Sequence, residues 1–391
     1  MTIKENDKKY IEGTYGRFNV ALTHGKGSRV FDEEGKEYID LSSGIAVNTF
    51  GIADDEWIAA VTKQISKISH ASNLYYTEPQ TELARLLCEK TGAKKVFFSN
   101  SGAEANECAI KTARLYAEKT RGKEYYNIIT LKNSFHGRTV TTLAATGQDV
   151  FHEHFTPMTE GFIYVCANDT EGLTKAVREN KCAAIMMEPV QGEGGVMPLD
   201  ADFVRSAERL AKEEGLLLIM DEVQTGNGRC GTLYAYESFG IKPDIVSTAK
   251  GLGGGLPIGA TLFFESCEGT LTAGMHGSTF GGNPVSCAAA VSVISRIDKA
   301  LLDSVKEKSE YVFRELCGAP GIKSVSGMGL MIGIETEADA SEVILGCMEE
   351  GILPIKAKNK VRLLPALNIP WEDLQRAIEV IKRIAKEKYS G

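Results

Sequence analysis

Two stretches, Leu216-Leu-Leu-Ile-Met-Asp221-Glu-Val and Ile245-Val-Ser-Thr-Ala-Lys250-Gly-Leu-Gly-Gly-Gly-Leu-Pro-Ile-Gly259, decide the fold. Each apolar run reads as a strand buried on both faces of a parallel sheet. Each ends by delivering one ionisable residue to a loop. In open parallel sheets, ligands bind beyond the carboxyl ends of the strands. The glycines after Lys250 let the backbone approach a ligand closely. A lysine and an aspartate brought there suggest a lysine that forms a Schiff base and a carboxylate that tunes a bound cofactor.

The same rhythm continues in both directions. Strands are expected at 96–98, 126–131, 183–187, 216–220 and 244–248, and helices at 57–69, 79–90, 103–117 and 201–214. Ala105, Ala109, Ala113 and Ala117 share one helix face, and such small residues allow close packing on a sheet. The segment up to about Asn48 alternates apolar stretches with Gly25, Gly27 and Gly35 and reads as hairpin-rich. After a helix beginning near Pro284, the pattern becomes helix 301–317, strand 329–335, helix 341–350, strands 352–355 and 361–364, and helix 371–387. The expectation is an α/β protein. Residues 50–290 would form a large, mostly parallel sheet domain, and residues 1–49 and 291–391 a smaller α+β domain built from both chain ends.

The chain has 391 residues, more than one core usually serves. Forty-four Lys and Arg stand against 52 Asp and Glu, a net charge of −8. That balance argues against nucleic acid as the main partner but allows small anions in a locally basic pocket. The nine cysteines include no CxxC pair. An odd number of scattered thiols suits a reducing compartment. The polar first ten residues lack a signal-peptide core, and no apolar run is long enough to cross a bilayer. A cytoplasmic protein with no membrane partner is expected.

Each remaining motif has a bland reading beside the chemical one. Ser99-Asn-Ser101-Gly102-Ala103-Glu lies between a strand and a helix, where backbone N–H groups bind phosphate; a plain N-cap looks the same. Asp221 follows five apolar residues and needs a cationic partner, either a protonated ring nitrogen or a structural Arg or Lys. Phe135-His-Gly-Arg138 offers a ring to stack and a guanidinium to grip a carboxylate; a lone His136 is more often an ordinary loop residue. Arg362, in an otherwise apolar strand, must be paired, and Glu193 is a candidate mate. His152 and His154 lack a third ligand, so no metal is expected. Ser247-Thr-Ala-Lys250 and Lys90-Thr-Gly92 echo two marks of penicillin-binding serine enzymes. Their order is reversed, the SDN element is absent, and the first ends a strand rather than opening a helix.

Taken in order, Ser99-Asn-Ser-Gly-Ala-Glu-Ala-Asn106, Ser134-Phe-His-Gly-Arg-Thr139, Glu188-Pro-Val-Gln-Gly-Glu-Gly-Gly195, Asp221-Glu-Val-Gln-Thr-Gly226, Ala249-Lys-Gly-Leu-Gly-Gly-Gly-Leu-Pro-Ile-Gly259 and Gly277-Ser-Thr-Phe-Gly-Gly-Asn-Pro284 resemble the class-III pyridoxal-phosphate aminotransferases. Within that class the chain is similar to the acetylornithine aminotransferases, notably at Gly44-Ile-Ala-Val-Asn48 and Ser72-Asn-Leu-Tyr-Tyr-Thr-Glu-Pro-Gln80. The resemblance implies the PLP-dependent transferase fold, pyridoxal 5'-phosphate as cofactor, and a homodimer with shared active sites. Lys250 would bond the cofactor and later move the proton, and Asp221 would keep the pyridine nitrogen protonated. Phe135 and Val223 would flank the ring, and Gln224 would approach its phenolic oxygen. Ser101, Gly102 and Ala103 would cradle the phosphate, with Thr279 reaching the neighbouring subunit's cofactor. Arg138 and Ser278 would meet a substrate carboxylate. Glu193 and Arg362 would pair to admit the terminal amine of N-acetylornithine, and part so that Arg362 receives the α-carboxylate of glutamate or 2-oxoglutarate. Two stretches depart from the family's pattern: Gly51-Ile-Ala-Asp-Asp55, where Gly-His-x-His-Pro is usual, and Cys230, where Thr is usual.

Overall fold

The computed structural model describes residues 1–390. Its centre is a seven-stranded sheet in the order Lys95–Ser99, Gly259–Phe263, Ile245–Thr248, Leu217–Asp221, Cys182–Met187, Asn127–Leu131 and Phe162–Val165. Six strands run the same way. Gly259–Phe263 runs antiparallel to both its neighbours. The connection from Thr248 to Gly259 is too short for a helical crossover, so the returning strand must reverse direction. Every residue of Cys182–Met187, Leu217–Asp221 and Ile245–Thr248 is buried, as continuous apolar runs between two helical layers require.

Helix Gly102–Thr120 lies on this sheet through Ala105, Ala109, Ala113 and Ala117, all at most 1% exposed. The close approach is visible in Thr261, whose Oγ1 donates to the Ala105 carbonyl at 2.8 Å. The three glycines after Lys250 serve the turn as much as the ligand. Gly254 and Gly255 have φ of +60° and +139°, and a Cβ on Gly254 would stand 3.0 Å from the Trp57 indole nitrogen. That nitrogen donates to the Gly253 carbonyl at 2.9 Å.

A second core joins Ile39 and Leu41 to residues between Val305 and Ala385. It lies under the helices Lys299–Leu316, Ala340–Glu349 and Trp371–Ser390. The strands Leu22–Lys26, Arg29–Asp32 and Glu37–Asp40 form an antiparallel run, and Ile352–Leu353 adds to it in parallel. The stretch expected as one strand at 352–355 is therefore two. Pro354 has no N–H for a ladder, and beyond it Ile355–Ala357 pairs with Lys360–Leu363 in another sheet. An opening helix, Ile3–Tyr10, also differs from the hairpin reading. Thr2 and Glu5 form a full capping box there. The helix expected at 57–69 is Asp55–Ile65, and Ile58 and Ile65, whose spacing betrays it, remain exposed. Asp54, one of the departures from the family pattern, caps this helix at the Trp57 N–H and meets Arg296 at 2.7 Å. Among the described residues no helix is long and apolar enough to cross a membrane.

Ala113→Leu should force the long helix off the sheet. The expected cost is about 1–3 kcal/mol, measured as an earlier urea midpoint; an unchanged midpoint would mean the small-residue face is not needed for packing.

Candidate functional site

Asp221 closes its strand at the floor of a cavity of about 340 Å³. It is 3% exposed, yet no arginine or lysine among the described residues pairs with it. Its Oδ2 accepts from Asn106 Nδ2 at 2.8 Å and lies 2.8 Å from His136 Nδ1, while Oδ1 accepts from the Val223 N–H at 3.0 Å. The structural cation that the sequence left open is thus missing. Asn106 and His136 are both buried and both line the cavity. Sequence reading passed over Asn106 and took His136 for a loop residue. The only available signal was Asn106 one turn into the helix that opens at Ser101. Asn106 Oδ1 and His136 Nε2 are buried without a partner, which marks the cavity as fit for a polar ligand.

Lys250 follows the neighbouring strand by two residues, with φ of +45°. Its backbone is held from outside: Asn227 Nδ2 donates to the Ala249 carbonyl at 3.2 Å, and Thr49 Oγ1 to the Gly251 carbonyl at 2.8 Å. The side chain faces the cavity rather than bulk water. Desolvation lowers its amine below the ordinary lysine value, against the opposing pull of Glu193, Asp221 and Glu188. A fraction of free amine is what a nucleophilic lysine needs.

Helix Gly102–Thr120 points its N-terminus into the same cavity, with Ser101 as N-cap bonded to the Glu104 N–H. The N–H groups of Gly102 and Ala103 have no intrahelical partner by position, which makes an anion site. Gly102 must be glycine: a Cβ there would come within 2.6 Å of Val223 Cγ1. Phe135, Val223, Gln224, Ser101, Gly102, Ala103, Asp221 and Lys250 all line the cavity.

Arg362 lies just outside the cavity lining, 2% exposed, and Nη1 donates to Glu193 Oε1 at 2.6 Å and to Gln224 Oε1 at 3.1 Å. Burial opposes ionisation of Glu193, but the Arg362 charge and hydrogen bond carry its carboxyl below the usual range. Arg138, Ser278 and Thr279 are not brought to the cavity wall. Arg138 is exposed, with its guanidinium 5.5 Å from the Phe135 ring centre and 4.2 Å from that of Phe151. Ser278 Oγ accepts from Asn100 Nδ2 at 3.1 Å and from the Gly281 N–H at 2.9 Å. Thr279 beside it is exposed. His152 bonds the Leu143 carbonyl, and no group of three metal-ligating side chains occurs among the described residues.

A cleft at the strand ends of a mostly parallel sheet, with a desolvated lysine, an acceptor carboxylate and a phosphate-ready helix end, defines a cofactor-dependent transferase of the pyridoxal-phosphate fold. The chain matches Aminotransferase class-III over residues 10–385 and belongs to that family. It is 49% identical over 387 residues to the acetylornithine aminotransferase of Haemophilus ducreyi, covering 98% of each chain. It is 45% identical over 377 residues to that of Aquifex aeolicus, covering 96% of this chain and 99% of that one. Among solved structures it is similar to the ornithine aminotransferase of Toxoplasma gondii, with TM-score 0.94, 31% identity and coverage of 99% and 94%; that structure holds PLP at partial occupancy in its active site. It is also similar to the N-acetylornithine aminotransferase of Stenotrophomonas maltophilia, with TM-score 0.84, 33% identity and 98% of both chains covered. The cofactor is pyridoxal 5'-phosphate. The residues present fit it: an anion-binding helix end, apolar walls from Phe135 and Val223, an anchored carboxylate and a desolvated amine.

Glu222, next to Asp221, is fully buried and ion-paired with no cation among the described residues; Oε2 accepts from Thr225 Oγ1 at 2.6 Å and Oε1 from the Tyr236 N–H at 2.7 Å. Burial raises its pKa to about 7 from 4.5. The folded state therefore holds this proton more tightly than the unfolded chain, so stability falls as pH rises from about 4.5 to about 7. Glu222→Gln removes the charge while its oxygen still accepts from the Tyr236 N–H and its NH2 donates to the Thr225 hydroxyl, reversing that bond. Its melting midpoint relative to wild type should be higher at pH 8 than at pH 5; an offset independent of pH would show that Glu222 does not titrate in this window.

Proposed function

We propose that this chain transfers the terminal amino group of N-acetyl-L-ornithine to 2-oxoglutarate, giving N-acetyl-L-glutamate 5-semialdehyde and L-glutamate, as a step of arginine biosynthesis. The pair of buried Arg362 with half-buried Glu193, at 2.6 Å and beside Lys250, carries the reading. While paired, the two groups cancel and the cavity accepts a donor by its terminal amine, away from its α-carboxylate. When Glu193 leaves, Arg362 offers a fork that matches an α-carboxylate. Two unlike substrates can thus use one site in turn. The choice of donor is supported by the relatives' names at 41–49% identity. Ornithine, succinylornithine, acetyl-lysine and 4-aminobutyrate are the alternative donors of the same class.

The roles divide as follows. Gly102 and Ala103 N–H groups, with the Ser101 hydroxyl, would hold the phosphate. Phe135 and Val223 would flank the ring, Gln224 would approach its phenolic oxygen, and Asp221, itself fixed by Asn106 and His136, would hold the proton on its nitrogen. Bound there, the cofactor supplies an aldehyde carbon that carries the amino group and a cationic ring that accepts electrons. Lys250 Nζ, depressed in basicity by desolvation, would bond the cofactor at rest and act as the base that takes the proton from the donor's amine-bearing carbon. Arg138 grips the donor's carboxylate, with Ser278 near it.

The same reading makes the chain a cytoplasmic homodimer whose two sites are shared. Nine unpaired thiols support a reducing compartment. Segment 69–76 lies along 278–283: Asn283 bonds the Ser69 carbonyl, Asn73 the Gly281 carbonyl, and His70 meets Phe280. Its side chains face solvent, Leu74 at 86%, Tyr75 at 70% and Tyr76 at 100% exposure. An apolar patch of this kind asks for a partner. It adjoins Thr279, which would reach the phosphate in the partner's cavity. Residues 50–290 are taken as the large domain and 1–49 with 291–391 as the small one, a division supported by the second core's use of Ile39 and Leu41.

Purified enzyme loaded with cofactor, mixed separately with N-acetylornithine, ornithine, succinylornithine and 4-aminobutyrate, should lose its visible cofactor absorbance fastest with N-acetylornithine. A faster amine among the other three would move the enzyme to that substrate. Arg362→Ala should slow the glutamate half-reaction by roughly 10- to 100-fold, the worth of one charge-assisted pair, and the acetylornithine half-reaction much less. Equal losses would dismiss the two-state gate.

A further inference from the structure

Two carboxyls line the cavity, Asp221 and Glu188, and only Asp221 has a role so far. Glu188 follows the strand Cys182–Met187 and is 5% exposed. No lysine, arginine or histidine among the described residues forms an ion pair with it. Its oxygens instead accept backbone N–H groups from two different loops: Oε1 from Phe135 at 2.8 Å, and Oε2 from Gly192 at 3.3 Å. A buried carboxyl beside another carboxylate is costly. Burial and the Asp221 charge accordingly push its pKa well up. What it gains for that cost is a link between the two loops.

Those loops carry different parts of the machinery. Phe135 forms a wall of the cofactor cavity, and Gly192 immediately precedes Glu193. The turn at Gly192 is tightly seated: a Cβ there would lie 2.5 Å from Gln224 Oε1. Gln224 in turn touches both members of the ion pair, Glu193 at 3.4 Å and Arg362 at 3.1 Å. Glu188 therefore anchors the base of the segment whose tip must move when the pair opens.

We propose that Glu188 is a positioning residue that ties the Phe135 backbone to the Gly192 backbone, so that the cavity wall and the turn stay fixed while the Glu193 side chain alone leaves Arg362. This rests on the gate reading given above. With the tie in place, opening is a side-chain rotation. Without it, the 191–195 turn moves as a body, and the half-reaction that needs the open gate bears the loss.

Glu188→Gln tests this. The amide has a single acceptor oxygen, so it keeps the shorter bond to Phe135 and presents an NH2 to the Gly192 N–H. Hydrogen exchange at the Gly192 amide should quicken about tenfold, the scale of one lost hydrogen bond, in protein both with and without cofactor, while Phe135 stays protected. KM for 2-oxoglutarate should rise by roughly the same factor, with kcat and the acetylornithine half-reaction changed less than threefold. Equal losses in both half-reactions, or Gly192 exchange unchanged by the substitution, would overturn the proposal. A Gly192 amide exchanging at the unprotected rate in wild-type protein would overturn it without any variant, which keeps the test decisive even where Glu188→Gln fails to fold. Failure of the wild-type enzyme to convert N-acetylornithine would strike the functional reading instead, and the exchange measurement would still judge the tie.

Discussion

A carboxylate buried at the end of a central strand, ion-paired with no arginine or lysine among the described residues, is the constraint on which the site depends. Removing such a charge from water costs on the order of several kcal/mol unless something repays it. Asp221 is held by Asn106, His136 and its own loop's Val223 N–H, which fix its direction but supply no permanent countercharge of the arginine or lysine kind. In the proposed function the missing cation is the cofactor's protonated ring nitrogen. Around that need the sheet presents Lys250 one strand away, and the long helix points its N-terminus into the same cavity, where the anionic end of the proposed cofactor would bind. The three features depend on one another, because each would be a poor use of buried polar groups without the cofactor that joins them.

The remaining charges of the site form a graded series. Lys250 sits between desolvation and a ring of carboxylates, and desolvation prevails. Arg362 and Glu193 settle their burial by pairing. Glu188 and Glu222 form no ion pair among the described residues and rest chiefly on hydrogen-bond donors. This grading gives each group a distinct task. A depressed amine can attack, a breakable pair can switch, and a carboxyl fixed by backbone N–H groups can hold loops in register. It also explains why the glycines matter where they do. A Cβ at Gly102 would strike Val223, and one at Gly192 would displace the end of Gln224.

The parallel sheet was legible from the strands themselves, because runs such as Leu216–Met220 are apolar on both faces and end in Asp221. So was the small-residue face of the long helix. Other features depended on partners distant in the chain. Nothing near Gly259 announces that its strand reverses; the shortness of the preceding loop does, once the strand positions are known. The break at Pro354 was readable from the missing N–H, yet an apolar run hid it. Asn106 and His136 looked like ordinary helix and loop residues, since their meaning comes from an aspartate more than eighty residues away. Glu188 was visible only as one half of a double-carboxylate motif, and its two acceptor bonds reach loops fifty-three residues back and four ahead. Arg138, Ser278 and Thr279 stand off the cavity of a single chain, which is the physical reason that a shared site is the natural reading for Thr279.

The account stands on Lys250 as the residue to which the cofactor bonds. Borohydride reduction of cofactor-loaded protein, followed by peptide mapping, tests that directly. One pyridoxyl group per chain, on the peptide containing Lys250, is the predicted result. An adduct on another lysine, such as the exposed Lys132, or no adduct in protein that has bound the cofactor, would contradict it.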